Sequence, residues 1–195
     1  MLQQFARLVL WVGGWTAIGG LPDVPKAVII AAPHTSNWDG IWALSFKLSV
    51  GLDARFFAKH SLFWFPLGAL LRGLGGIPLN RERARSAVKY AVSMFETEDS
   101  FYFGLAPEGT RARQNAWKTG FYRIAMKARV PVYLGVLDYK RKQVGITTRI
   151  DLTGNIDVDM QKCADFYAGI QGRWPEKTTP IRFAKQEMPP DGGLD

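Results

Sequence analysis

Cysteine occurs once in 195 residues, at position 163, and histidine only twice, at positions 34 and 60. A lone thiol cannot close an internal disulfide or build an all-cysteine metal centre, which fits a reducing compartment, and Cys163 reads as an ordinary helix residue. Two imidazoles leave little choice for any base-dependent chemistry. Neither a Gly-x-Ser-x-Gly nucleophile elbow nor a Gly-x4-Gly-Lys-Ser/Thr phosphate loop is present. No apolar run approaches the roughly 20 residues that span a bilayer comfortably. The nearest, 1–21, is broken by Gly13, Gly14, Gly19 and Gly20, and its weak cationic start and unclear cleavage site do not suit a secretory signal. Acidic residues are missing between Gly109 and Leu137, where Arg111, Arg113, Lys118, Arg123, Lys127 and Arg129 carry all the charge.

What is present points to an anionic partner. A formal charge of +8 and a pI near 9.7 favour nucleic acid, an acidic membrane surface or a phosphorylated substrate. The aromatics, 13% of the chain, sit in apolar, helix-like stretches rather than between exposed basic residues, so no nucleic-acid partner is expected. Segment 1–21 carries Arg7 as its only charged side chain, with Trp11 and Trp15 one helical turn apart. It reads as an interfacial helix with both indoles at headgroup depth, which makes the protein peripheral on the cytoplasmic face of a membrane.

The order of elements predicts an α/β fold: a single domain with a mixed, largely parallel sheet flanked by helices, preceded by the apolar N-terminal helix. The domain is expected over 22–172, and 173–195 as a loosely ordered extension rich in Pro and Gly. Ala27-Val-Ile-Ile-Ala-Ala32 is a continuous apolar run of the kind that forms a strand buried on both faces. It ends at His34, and a helix follows from Trp38 to Val50 with Ser36 or Asn37 as its cap. Strands are expected at 55–58, 77–79, 101–105, 130–137 and 144–150, and helices at 61–72, 84–96, 119–128 and 158–169. The aromatic segment from Leu62 to Leu67 is expected in the core. Asp157 and Asp159 read as capping residues rather than metal ligands.

Three constellations could carry chemistry. His34 and Asp39 are five residues apart, which on a regular helix would turn them away from each other; a turn entering a helix can bring them together. Asp39 would then fix the imidazole tautomer and leave the other nitrogen free to take a proton from a substrate hydroxyl. Pro107-Glu-Gly-Thr-Arg111 follows the 101–105 strand. In it Gly109 permits close backbone approach, Thr110 supplies a hydroxyl, Arg111 offers a forked donor suited to phosphate, and Glu108 can hold a glycerol-like hydroxyl or position Arg111. Gly75-Gly-Ile-Pro-Leu-Asn-Arg81 delivers Arg81 to a strand end, with Arg83 and Arg85 on a solvated helix start. Lys59 is a further candidate for a phosphate contact, and His60 beside it reads as a structural or surface residue. Ligands gather at the carboxyl ends of strands in such sheets, and His34, Arg81 and Glu108 all follow predicted strands.

Taken in this order, the segments resemble the glycerolipid acyltransferase family, to which the lysophosphatidate acyltransferases belong. His34-Thr-Ser-Asn-Trp-Asp39 is similar to its His-x4-Asp motif, Gly75 to Arg81 to its second block, Pro107 to Arg111 to its third and Val130-Pro-Val132 to its fourth. Family members commonly carry Asn where Pro33 stands, Phe at Ala106, and Phe and Ile at Pro78 and Leu79. The resemblance implies that His34 deprotonates the hydroxyl of a lysophospholipid, lysophosphatidate by family default. The oxygen would attack the thioester of acyl-CoA or acyl carrier protein, with no metal, no further cofactor and no acyl-enzyme. It links Arg81, Glu108 and Arg111 to acceptor binding and leaves open a different lysolipid or aminolipid acceptor, or a non-catalytic lipid-binding protein of the same fold.

Overall fold

A computed structural model describes residues 1–79 and 84–184. Helix α1 (Leu2–Val12) stops at Gly13 and Gly14, and the chain turns into β1 (Thr16–Gly19). Then follow β2 (Lys26–Ala32), α2 (Trp38–Val50), β3 (Ala54–Lys59), α3 (Leu67–Gly73), β4 (Gly76–Leu79) and α4 (Ala84–Thr97). The remaining elements are β5 (Phe101–Leu105), α5 (Gly120–Ala128), β6 (Val132–Asp138), β7 (Gln143–Ile150) and α6 (Ile156–Tyr167).

The seven strands form one sheet in the order β1-β7-β6-β2-β5-β3-β4. Strands β6, β2, β5, β3 and β4 run parallel; the tight turn after β6 makes β7 antiparallel to it, and β1 pairs parallel to β7 at the edge. This is the mixed, largely parallel sheet expected from the alternation of elements. Gly145 has no room for a side chain against the Ile18 carbonyl, so its lack of one lets β1 close on β7.

Alternation along each strand divides the core into two layers. Ala27 and Ile29 of β2 face a cluster with Leu10 of α1, Trp15, Phe46 of α2 and Leu137. Val28, Ile30 and Ala32 face the opposite side, where Phe95, Phe121, Ile124 and Met160 bring in α4, α5 and α6. Both faces of β2 are therefore covered, which is why its sequence is continuously apolar from Ala27 onward.

Six expectations are corrected. The N-terminal segment is not one helix over 1–21: the Gly13-Gly14 pair ends α1, and residues 16–19 satisfy their backbone groups in the sheet. Trp15 is buried in the core rather than set at headgroup depth, whereas Trp11 is 76% exposed. The helix expected over 61–72 is a single 3₁₀ turn at His60–Leu62 and the separate α3, because Pro66 disfavours helical backbone at Phe65. Between them Trp64 and Phe65 project outward, Phe65 at 87% exposure, instead of packing inside. From 173 to 184 the chain stays packed: Trp117 pairs with Phe183 in an isolated bridge, and Phe183 and Thr179 are buried, while 185–195 of the expected extension lie outside the described residues. Aromatic and hydroxyl side chains at those positions supply anchors that a count of Pro and Gly overlooks. The helix at 156–167 takes its cap from Asn155, which accepts the Val158 N–H, and Asp159 instead accepts from Tyr122 Oη and Thr153.

Candidate active site

Strand β2 lies between β5 and β6, so the carboxyl ends of the three strands deliver three segments to one edge. His34 follows β2, Glu108 follows β5 and Tyr139 follows β6. At the centre, His34 Nδ1 lies 3.1 Å from Asp39 Oδ2. The turn from β2 into α2 achieves what a regular helix would not: Asp39, in the first turn of α2, reaches back and accepts the backbone N–H groups of Thr35 and Ser36, both at 2.8 Å. A carboxylate at a helix N-terminus bonded to local N–H groups is held electrostatically as well as sterically.

Tyr139 donates its hydroxyl to Asp39 Oδ1 at 2.6 Å, so both carboxylate oxygens are engaged although the side chain is only 1% exposed. Burial by itself would raise the Asp39 carboxyl, but the hydrogen bonds from His34, Tyr139 and Ser36 outweigh it and hold the group below the ordinary carboxylate range. Asp39 is thus a buried anion. Burial, and then the same contact, push the Tyr139 phenol well above its ordinary value, so it stays a donor. With Nδ1–H directed to Asp39, Nε2 is the imidazole's open acceptor, and it has no hydrogen-bond partner among the described residues.

Glu108, 2% exposed, accepts the backbone N–H of His34 through Oε1 at 3.0 Å. Burial pushes its carboxyl above the ordinary range, against the pull of that hydrogen bond, and Oε2 is buried with no partner among the described residues. Glu108 and Arg111 form no ion pair among the described residues. The glutamate instead ties the third motif to the backbone of the first, and Arg111 is left exposed. Gly109 has a φ of +67°, the left-handed backbone that closes the Ala106 to Gly109 turn. Thr110 accepts the Ala112 N–H at 3.4 Å. Lys59 ends β3 and is exposed beside the equally exposed His60. Arg81 lies outside the described residues. No cluster of His, Cys, Asp or Glu among the described residues could hold a metal ion.

Two components of the site escape a reading of the sequence. Tyr139 is one; its position just beyond a strand beside β2 was the available signal. The other is segment 171–174, which crosses the first motif. The Tyr139 N–H donates to the Gln171 carbonyl at 2.8 Å, and the Trp174 N–H donates to Thr35 Oγ1 at 3.2 Å. A Cβ on Gly172 would stand 2.8 Å from Thr35 Oγ1 and 3.2 Å from Pro33 Cγ, so the backbone lies directly on the residues flanking His34. Nothing in residues 171–174 announces this approach before the chain is folded.

Comparison with curated proteins found no significant match. Among solved structures, the fold is similar to that of the 1-acyl-sn-glycerophosphate (LPA) acyltransferase PlsC from Thermotoga maritima. The TM-score is 0.62 and the identity 19%, over 85% of this chain and 74% of that one. The family model described as Acyltransferase matches residues 18–134, more than half of the chain and all of the segments that meet at the β2 edge except Tyr139 and 171–174. The chain therefore belongs to the acyltransferase family.

Proposed function

We propose that the protein transfers a fatty acyl group from acyl-CoA or acyl carrier protein to the hydroxyl of a lysophospholipid, with lysophosphatidate as the first candidate. The observation that carries this reading is the 3.1 Å contact of His34 Nδ1 with a buried, hydrogen-bonded Asp39, which leaves Nε2 as the proton acceptor. The acceptor hydroxyl gives its proton to Nε2 as its oxygen bonds to the thioester carbonyl carbon. Asp39 stabilises the imidazolium; the tetrahedral intermediate then collapses, the C–S bond breaks, and the departing sulfur takes the proton from His34. Glu108 steadies His34 through the backbone, and acceptor binding is its further role by family resemblance. Arg111 and Lys59, exposed on the same sheet edge, are candidates for the acceptor phosphate, with Arg81 by family resemblance.

We assign the membrane contact to α1, whose outward side exposes Leu2, Phe5, Leu8, Trp11 and Val12 while Ala6 and Leu10 dock on the core. Ala6 and Leu10 lie one turn apart on the inner face, so docking and lipid contact use opposite sides of one helix. No helix among the described residues is long and apolar enough to cross a membrane. Peripheral attachment on the cytoplasmic face, helped by the net charge of +8 on anionic lipid, is the corresponding proposal.

A panel of lysophospholipids assayed with both donor types, read by mass spectrometry of the lipid products, tests the reading. Transfer is expected with at least one acceptor and should vanish in His34→Ala. Full activity of that variant in folded form, or liposome binding without turnover on any acceptor, would overturn it.

A further inference from the structure

Arg173 is the one member of the 171–174 segment whose side chain turns to solvent as a charge. Its guanidinium carbon lies 5.6 Å from the ring centroid of Trp38 and 5.7 Å from that of Trp174, and Lys177 Nζ lies 5.6 Å from the same Trp174 ring. No carboxylate and no hydrogen-bond acceptor among the described residues engages Arg173. Contact with aromatic faces uses the charge of a guanidinium and leaves its N–H fork without acceptors. The fork is thus held in place yet unspent.

Its location gives that unspent donor set a use. Trp38 directly precedes Asp39, is 46% exposed, and continues a stack through Trp42 to the buried Trp15, so the platform under Arg173 is rooted in the core. On either side, Gly172 and Trp174 lie against Pro33 and Thr35, the neighbours of His34. Further along, Thr179 is buried and accepts the Gln114 N–H at 3.1 Å, which anchors the far end of the segment beside the third motif. A cation fixed at both ends of its backbone, set over two indole rings and without a carboxylate partner among the described residues, is preorganised beside a reactive centre for an anion with several oxygens.

We propose that Arg173, supported by Trp38 and Trp174 and with Lys177 adding charge, is a phosphate-ester subsite at the mouth of the catalytic centre. It lies on a segment outside the matched family region and is separate from Arg111 and Lys59. The proposal rests on the acyl-transfer reading only for the identity of the two substrates that carry phosphate: the lipid acceptor, through its headgroup, and the donor, through the phosphates beyond its thioester arm.

The experiment is a tryptophan-fluorescence titration of the intact chain carrying His34→Ala, with and without Arg173→Gln. Two probe pairs are used: a short-chain lysophosphatidate against the matching monoacylglycerol, and coenzyme A against pantetheine. In the Arg173 parent, one phosphate-bearing probe should quench saturably and its phosphate-free partner should not. Arg173→Gln should weaken that probe about tenfold or more, the loss of a charge-assisted contact, with an unchanged thermal midpoint because the side chain is exposed. Loss confined to the lysophosphatidate assigns the site to the acceptor; loss confined to coenzyme A assigns it to the donor. Equal affinity in both proteins, weakening of phosphate-free and phosphate-bearing probes alike, or binding of neither phosphate probe overturns the proposal. Since no turnover is read, failure of acyl transfer by the wild type would sink the proposed function and leave this result to stand or fall separately.

Discussion

At the scale of single residues, Asp39 organises the site. It gathers the two N–H groups of the turn, the imidazole and the Tyr139 hydroxyl on one buried carboxylate. Tyr139→Phe keeps the ring that packs edge-on against Trp15 and removes only the hydrogen bond. A bond to a charged group is worth about 1.5–3 kcal/mol, so kcat should fall roughly tenfold to a hundredfold with KM little changed, measured by steady-state kinetics. Protonation sharpens the contrast between the two carboxylates. Asp39, depressed in the fold, contributes stability above its unfolded value that is lost as pH falls through its folded value. Glu108 has the opposite sign: its folded pKa is raised, so ionisation costs the native state stability as pH climbs from the unfolded value through the folded one. Glu108→Gln keeps an oxygen for the His34 N–H and removes the titration. Its stability relative to wild type should therefore improve as pH rises above the ordinary Glu value of about 4.3, a trend that thermal denaturation across pH would reveal.

At the scale of elements, the turns matter more than the strands and helices they join. Strand β2 and helix α2 follow from apolar patterning, but the dyad exists because residues 33–37 fold back between them. Segment 171–174 holds that turn from outside. Gly172→Ala would press a methyl group against Thr35 and Pro33, both confined, and should cost about 1–3 kcal/mol while lowering kcat, as denaturant unfolding and assay would register. Helix α6, by contrast, is structural. Burial and the neighbouring Asp159 push the Cys163 thiol up to about 12, so thiol reagents should modify it only on unfolding. Mass spectrometry before and after denaturation distinguishes the two.

For the whole molecule, the two layers divide the work. Helices α1 and α2 cover one side of the sheet and expose an apolar and aromatic surface, while α4, α5 and α6 cover the other. Removing residues 1–20 would test membrane attachment poorly, because it also strips Trp15 from its stack on Trp42 and β1 from the sheet edge. Replacing Phe5, Leu8 and Trp11 by serine leaves Ala6, Leu10 and Trp15 in place. Partition to anionic liposomes should fall tenfold or more, since fully burying even one such side chain contributes roughly 1.5–3 kcal/mol, while circular dichroism stays native.

By itself the sequence determined the elements with strong periodicity or continuous apolarity. Helix α2 and strand β5 fall on the predicted residues, and the strand-helix alternation led to the parallel sheet. It also singled out His34, Asp39 and Glu108, because residue type and local spacing carry their chemistry. Tertiary structure alone decided what depends on distant partners. Glu108 spends its bond on the His34 backbone rather than on Arg111, 74 positions separate that donor from its acceptor, and 100 separate Tyr139 from Asp39. Segment 173–184 looked loose by composition and is held by contacts with Thr35, Gln114 and Trp117. Local patterning records which face of an element is apolar; it does not record which loops meet when the sheet closes and their backbone groups must find partners.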